Sequence, residues 1–342
     1  MIIQKLKFCI LRVYFTLGLL LYKTRALRFY KGKGAILCYH RIIEDAIFDN
    51  DERGLVYKGI SIKASEFKKQ IIFLKKNYQI VSLDNFLNHI RSNSKEFKLA
   101  ISFDDGYRDF YDIAYPLIKH HKIPVTLYSS PSFIQSPKSA WWFDVLKHVF
   151  SAKKISFSYK DYKYKAILNS RRDKLKAFYY INSLLINSNL EEIKLIIRKL
   201  KMKPVKLLSR EFISLSEMKK IAKCKYITLG NHSMTHLAFN LLDLKDIQKD
   251  IYSSNLFFKK NFNEVPRHFC YPYGILPKDL KKACEIFRTQ NIYSAVSLKP
   301  SKINSYTDVY NLPRINITQF NSTEDIKIKI EGFSNLTRFN NV

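Results

Sequence analysis

The strongest constraint on this chain is a repeated punctuation: short apolar runs that break off into polar tips. Residues 35–40 (AILCYH) and 124–130 (PVTLYSS) have this form. So do residues 99–103 (LAISF, then Asp104-Asp105-Gly106), 226–230 (YITLG, then Asn231-His232-Ser233) and 267–271 (RHFCY, then Pro272-Tyr273-Gly274). Continuous apolar runs of about five residues suit strands buried on both faces, as in a parallel sheet. Helical periods separate them. Residues 65–78 place Phe67, Ile71, Leu74 and Tyr78 on one face, with Ser65 as candidate cap, and residues 83–90 and 107–121 also read as helices. Residues 80–82, 294–298 and 309–312 read as further short strands. Strand, polar tip, helix and strand make βαβ units, in which ligands gather beyond the carboxyl ends of the strands. The reading is therefore an α/β fold with its chemistry at the polar tips.

The rhythm lapses after residue 131. Trp141, Trp142 and Phe143 stand together, and a basic, helical stretch follows at 171–203. Residues 137–210 read as a mostly helical insertion into a domain spanning 34–320, with 321–342 as a peripheral, polar tail. Residues 1–33 form a separate apolar and basic segment. Its apolar part, residues 8–22, is interrupted by Arg12 and is shorter than the roughly 20 residues of a bilayer span. No small-residue cleavage site follows it, which argues against a cleaved secretory signal. Lys23, Arg25, Arg28, Lys31 and Lys33 come next. An interfacial helix with a basic collar against anionic lipid is the preferred reading, and an ordinary packed helix the alternative. Either way the domain is expected at the cytoplasmic face, peripheral to the membrane; anchoring with the domain outside is the alternative.

Charge points the same way. Lys and Arg number 59 against 29 acids, a formal +30, which favours anionic partners. A compositional bias toward Lys, Ile, Asn and Tyr also produces such an excess. No nucleic-acid recognition motif accompanies the charge, so no specific nucleic-acid partner is expected. The five cysteines include no CxxC pair, so free thiols in a reducing compartment are expected.

Three polar tips combine into one donor set. Asp104 and Asp105 are adjacent, and His232 and His236 are four apart in HSMTH. If a helix begins there, both imidazoles share a face. Two histidines and a carboxylate form a zinc set that leaves a position open. Neighbouring aspartates at a strand tip cannot point the same way, so one can bind metal while the other approaches a water.

These motifs resemble those of the polysaccharide deacetylases, the NodB-homology or carbohydrate esterase family 4. SFDDGY at 102–107, HSMTH at 232–236 and FCYPYG at 269–274 are similar to the family's three motifs, and LCYHRI at 37–42 to its opening strand. The resemblance covers roughly 35–135 and 225–318. It implies an irregular (β/α) barrel of about seven strands. It implies that Asp105, His232 and His236 hold a divalent ion, often zinc, sometimes cobalt, manganese or nickel. Asp104 would be the general base, and Tyr273 would offer its backbone N–H to an oxyanion. The chain departs from the pattern where many members carry an arginine two residues before the Pro of the third motif: Cys270 stands there. Members that deacetylate poly-N-acetylglucosamine also lack it. Arg314 is the candidate substitute. No histidine follows residue 275, so the family's late acid is absent and His40 is the candidate acid; His268, expected to be exposed, competes. Tyr107, Trp141, Trp142 and Tyr128 are candidates for a sugar platform, with Pro272 beside it.

The expected activity is metal-dependent removal of acetyl from an N-acetylated sugar in bacterial envelope assembly, on a lipid-linked glycan such as a prenyl-phosphate hexosamine. Peptidoglycan, a chitin-like chain or another amide is the alternative substrate. A glycan-binding protein of the same fold without catalysis is the alternative function.

Overall fold

The computed structural model describes residues 13, 16–24, 26–51, 56–135, 140–160, 162–202 and 211–337. The apolar runs form a single sheet of parallel strands. They are β1 (Gly34–Tyr39), β5 (Lys98–Phe103), β6 (Val125–Ser129), β9 (Ile227–Asn231), β10 (His268–Cys270), β11 (Ser294–Val296) and β12 (Ile315–Asn316), in spatial order β11-β10-β9-β6-β5-β1-β12. β2 (Arg41–Ile43) pairs with β3 (Ser61–Lys63), and β4 (Gln79–Ile80) adds to β5. The sheet curls. Ile36, Ala100, Tyr128, Cys270 and Val296, from five strands spread across it, share one buried cluster with Leu312. Their sequence neighbours Leu37, Leu99, Ile101, Val125 and Leu127 face outward into a second cluster, against the helices Ala64–Asn77 and Leu215–Ala222. This period-two alternation is what makes the runs apolar throughout.

The seam between the end strands is closed by the segment expected as a strand at 309–312. It is irregular but runs along β11, with Ala295 N–H donating to Val309 O and Leu312 N–H to Ala295 O. Arg314 follows it, just before β12.

Several expectations need correction. The helix at 64–77 has Lys63, not Ser65, at its N-cap position, without a side-chain capping bond; Ser65 lies inside the first turn and donates to the Asp45 carboxylate. Residues 107–121 form a wide turn at Phe110–Ala114 before a regular helix at Tyr115–His121. The insertion is helical at Trp141–Ser151, Arg171–Ile186 and Leu190–Lys199, but it also carries an antiparallel hairpin of β7 (Lys154–Tyr159) and β8 (Tyr162–Ile167). Ile155, Phe157 and Tyr159 alternate inward there, a strand signal masked by interleaved Lys and Ser.

The C-terminal segment is not peripheral. Ile326, Ile330 and Phe333 are buried, and Phe333 and Ile328 pack with Leu27, Leu21 and Tyr22 of the N-terminal segment. Residues 16–23 are helical, and Gly18 admits the close approach: a Cβ there would lie 2.8 Å from Ile328 and Phe333. The opposite face exposes Val13, Leu17, Leu19 and Leu20. Part of the expected collar is engaged within the fold. Lys31 pairs with Glu331 at 2.8 Å, and Lys33 donates to the carbonyls of Ile90 and Ser92. Residues 1–12 and Arg25 lie outside the described residues. Among the described residues no helix is long and apolar enough to cross a membrane.

Candidate active site

The tip of β5 splits its two aspartates. Asp104 N–H still donates to Tyr39 O of β1, so Asp104 continues the sheet. Asp105 then adopts φ 71°, and Gly106 also takes φ 71°. That left-handed pair reverses the chain, and a Cβ at Gly106 would lie 2.8 Å from Ser129 Oγ. The Asp104 carboxylate consequently turns toward the seam and Asp105 toward β9.

The HSMTH segment is a loop, not a helix start. Ser233 and His236 hold φ 70° and 55°, values no right-handed helix contains. Polar side chains substitute for helical bonds. Asn231 Oδ1 accepts from Ser233 N–H, and Ser233 Oγ from Thr235 and His236 N–H. Buried Asp250, on the helix Leu244–Phe262, accepts from Met234 N–H at 2.8 Å and from Thr235 N–H and Oγ1. The loop brings the two imidazoles to a centroid distance of 4.8 Å.

Asp105 Oδ1 lies 3.2 Å from His232 Nε2 and 3.1 Å from His236 Nε2. All three residues are buried, and each has a donor atom within 4.8 Å of the others'. His232 Nδ1 is 2.8 Å from Cys270 O; it donates there, which leaves Nε2 as a free lone pair aimed at Asp105. Tetrahedral zinc with bonds near 2.0–2.1 Å separates its ligand atoms by about 3.3 Å, close to the spacing seen. The residues present fit a divalent ion.

Arg314 reaches the same mouth from the seam. Its Nη1 is 2.7 Å from Asp104 Oδ1 and its Nη2 2.8 Å from Oδ2, with Nε donating to Ser297 O and Nη1 also to Ser102 Oγ. Both partners are buried. Burial alone would raise the Asp104 carboxyl, but the guanidinium beside it holds it well below the usual carboxylate range. The His40 Nε2 is 3.8 Å from Asp104 Oδ2. Burial lowers its pKa, against the opposing pull of Asp104 and Asp105, so His40 is neutral at neutral pH.

Other expected residues sit differently. His268 is fully buried, not exposed: its Nδ1 meets Ser294 Oγ at 2.9 Å, away from the mouth. Tyr128 lies inside the barrel, its ring under the Arg314 guanidinium at 5.7 Å. Tyr107, Trp141 and Trp142 are buried in the insertion's aromatic core with Phe133 and Phe212. They offer no open stacking face. Trp142 packs 5.5 Å and Tyr273 4.7 Å from His236. Pro272 is buried at the tip after β10, where Tyr273 takes φ 57°.

Sequence reasoning passed over Cys38, Ser102 and Asp250. Cys38 Sγ and Cys270 Sγ approach Asp104 Oδ2 at 3.3 and 3.4 Å. The period of two was the available signal: Cys38 precedes His40, and Ser102 precedes Asp104, by one inward-facing step. For Asp250 no local signal exists.

The chain is similar to several known proteins. The model of the family described as polysaccharide deacetylase matches residues 151–290, which hold His232, His236 and the 269–274 segment. A poly-beta-1,6-N-acetyl-D-glucosamine N-deacetylase of Staphylococcus aureus is 21% identical over 325 residues, covering 90% of this chain and 87% of the relative. That of Staphylococcus epidermidis is 23% identical over 302 residues, covering 86% and 82%. Among solved structures, IcaB from Ammonifex degensii aligns with a TM-score of 0.56 at 16% identity, over 88% of this chain and 97% of that one. Streptococcus pyogenes deacetylase PplD in complex with acetate aligns at 0.55 and 15%, over 86% and 96%. These structures share the fold.

Proposed function

With the sequence likeness and the fold of the polysaccharide deacetylases as the premise, we propose that this chain is a metal-dependent carbohydrate N-deacetylase. Its substrate is an N-acetylated sugar of the bacterial envelope. The observation that carries the proposal is the pairing of two sites at one mouth: the Asp105–His232–His236 donor set and, beside it, a carboxylate clamped by a buried guanidinium.

Asp105, His232 and His236 would hold a divalent ion, zinc by its nitrogen and oxygen donors, which would supply a Lewis acid to polarise the acetyl carbonyl and acidify water. The protein's own groups do the rest. Arg314 fixes both Asp104 oxygens, so the carboxylate stays ionised and oriented for proton abstraction from the attacking water. The backbone N–H of Tyr273 donates to the developing oxyanion, the kind of contact worth about 3–4 kcal/mol. The departing amine needs a proton, and His40, neutral at rest, takes it from Asp104 across 3.8 Å and delivers it. Trp142 and Tyr273 pack against His236 and shield it from water.

The relatives' names support a β-1,6-linked N-acetylglucosamine chain as the substrate. The exposed apolar face of residues 16–20, with Lys23 beside it, supports a peripheral position on an anionic leaflet and access to lipid-linked sugars. The deciding assay is acetate release from β-1,6-linked N-acetylglucosamine oligomers and from prenyl-phosphate-linked N-acetylglucosamine. It compares metal-loaded protein, chelated protein and Asp104→Asn. Release that needs both metal and Asp104 is the expected result. Release from neither substrate, with metal bound, would leave a glycan-binding role.

A further inference from the structure

The imidazole of His40 is held only at long range. Its Nε2 lies 3.8 Å from Asp104 Oδ2 and its Nδ1 3.9 Å from Cys38 Sγ. His40 also stands at a pivot, between the last residue of β1 and the first of β2, where the chain leaves the main sheet for the small β2–β3 sheet. Its reach toward Asp104 is therefore set by what anchors the chain on each side. On the β1 side, Tyr39 O accepts from Asp104 N–H and Cys38 O from Ile317 N–H. On the β2 side, Arg41 N–H donates to Ile60 O, and a side chain adds a second anchor. Asp109 Oδ1 accepts from Ile42 N–H at 2.9 Å, and Asp109 Oδ2 accepts from Arg41 Nε at 2.9 Å.

We propose that Asp109 and Arg41 are positioning residues for protonation of the leaving amine: together they hold His40 within reach of Asp104 and of the departing nitrogen. Asp109 opens the helical stretch that follows the Asp104–Asp105 turn. One carboxylate thus fixes the strand of the acid against the tip that carries the base. Arg41 is itself confined. It is buried, and its guanidinium lies 5.0 Å from the Tyr107 ring and 5.3 Å from the Phe143 ring. Its Nη2 donates to Glu211 Oε2 at 2.7 Å. Glu211 O accepts from Arg108 N–H, and Ile213 N–H donates to Gly106 O, so the chain leaving the insertion closes on the same turn. The two carboxylates are unequal. The Glu211 side chain is 35% exposed against 9% for Asp109, and exposed ion pairs contribute little. Asp109 is the dominant anchor.

The role belongs to one step of the reaction. When the C–N bond breaks, its electron pair stays on nitrogen, which takes a proton from His40, and the acetyl carbon keeps the oxygen of water as acetate. An aryl ester instead expels a phenolate, which leaves without a proton. The metal ligands and Asp104 serve both substrates, and His40 serves only the amide. Loss of the Arg41–Asp109 anchor therefore slows amide cleavage selectively, since a displacement of about 1 Å can cost roughly 10²-fold in rate. The inference rests on the deacetylase reading with His40 as its acid.

The test compares two substrates on zinc-loaded full-length protein: β-1,6-linked N-acetylglucosamine oligomers and 4-nitrophenyl acetate. Arg41→Lys keeps the charge but cannot hold two carboxylates in a fork, and Asp109→Asn keeps an acceptor for Ile42 but not the charge. Each should lower kcat on the oligomers by roughly 10²-fold, with KM, ester turnover and zinc content nearly unchanged. Glu211→Gln should cost about fivefold at most. In a His40→Ala background, Arg41→Lys and Asp109→Asn should add no further loss on the oligomers, because the group they position is gone. If a single variant loses its fold or its zinc, Arg41→Met/Asp109→Leu carries the same comparison, since its apolar pair leaves neither member as a buried unpaired charge. Equal losses on amide and ester, or losses that add fully to that of His40→Ala, overturn the inference while the deacetylase reading stands. Native protein that cleaves the ester and releases no acetate from the oligomers overturns both.

Discussion

Arg314 and Asp104 form a two-pronged ion pair, 2.7 and 2.8 Å, with neither side chain meaningfully exposed. Removing one member of such a pair leaves a buried uncompensated charge, which costs about 3–5 kcal/mol. Arg314→Ala is therefore expected to lose that much stability in urea unfolding and nearly all acetate release. Arg314→Lys keeps the charge but not the fork, and should regain fold more than activity. Asp104→Asn is neutral and isosteric; it should lower the turnover by roughly 10²–10⁴-fold while leaving metal content unchanged.

Metal dependence is checked by composition as well as rate. His232→Ala and His236→Ala should each abolish stoichiometric metal by elemental analysis, and chelation of the native protein should stop acetate release until zinc or cobalt is restored. Full activity in metal-free protein would refute the assignment of the donor set.

Asp250 holds the loop between the two histidines from behind, through Met234 and Thr235. Groups that support ligands in this way typically change metal affinity by about 10–100-fold. Asp250→Ala is expected to weaken zinc binding in that range, measured by competition with a chromophoric chelator. Asp250→Asn should recover part of it, since one amide oxygen can still accept.

The exposed face of the N-terminal helix gives a surface prediction. Leu17→Gln, Leu19→Gln and Leu20→Gln together should reduce co-flotation with anionic vesicles without changing release from short soluble oligomers. Point substitution is preferable to deleting the segment. Deletion would also strip Leu21, Tyr22 and Leu27 from Phe333 and uncover that cluster.

Lys329 gives a pH signature. Burial lowers its pKa from 10.5 to about 8, only partly offset by Asp325. The unfolded chain therefore holds the proton across that interval while the folded chain releases it. Stability contributed by this group rises with pH from about 8 to 10.5, and the burial penalty is full below 8. Two to three pKa units correspond to about 3 kcal/mol. Lys329→Met should be more stable than native protein at neutral pH, with the advantage shrinking above pH 8 in matched urea titrations.

The sheet was legible in the sequence because strands buried on both faces are predominantly apolar until they end. The strand tips that hold Asp104, Asp105, His232 and His236 were legible for the same reason. The loop at HSMTH was not: its spacing of four suits a helix, and nothing in the letters shows that Ser233 and His236 take positive φ. Asp250, which makes that conformation possible, lies a helix away. The aromatic residues misled for another reason. Trp141 and Trp142 read equally well as an open platform or as the core of the insertion, and only the chain around them decides. The hairpin of β7 and β8 was hidden because its outward positions are lysine and serine, which resemble the basic helices that follow.

The guanidinium that faces Asp104 lies 210 positions further along the chain. During synthesis, Asp104, Asp105, His232 and His236 all leave the ribosome before residue 314. Until residue 314 joins the fold, Asp104 lacks the guanidinium that clamps it. A nascent or C-terminally clipped chain thus carries Asp105, His232 and His236 and still lacks the partner of Asp104. On the proposed reading, the residue that completes the seam is also the one that orients the base.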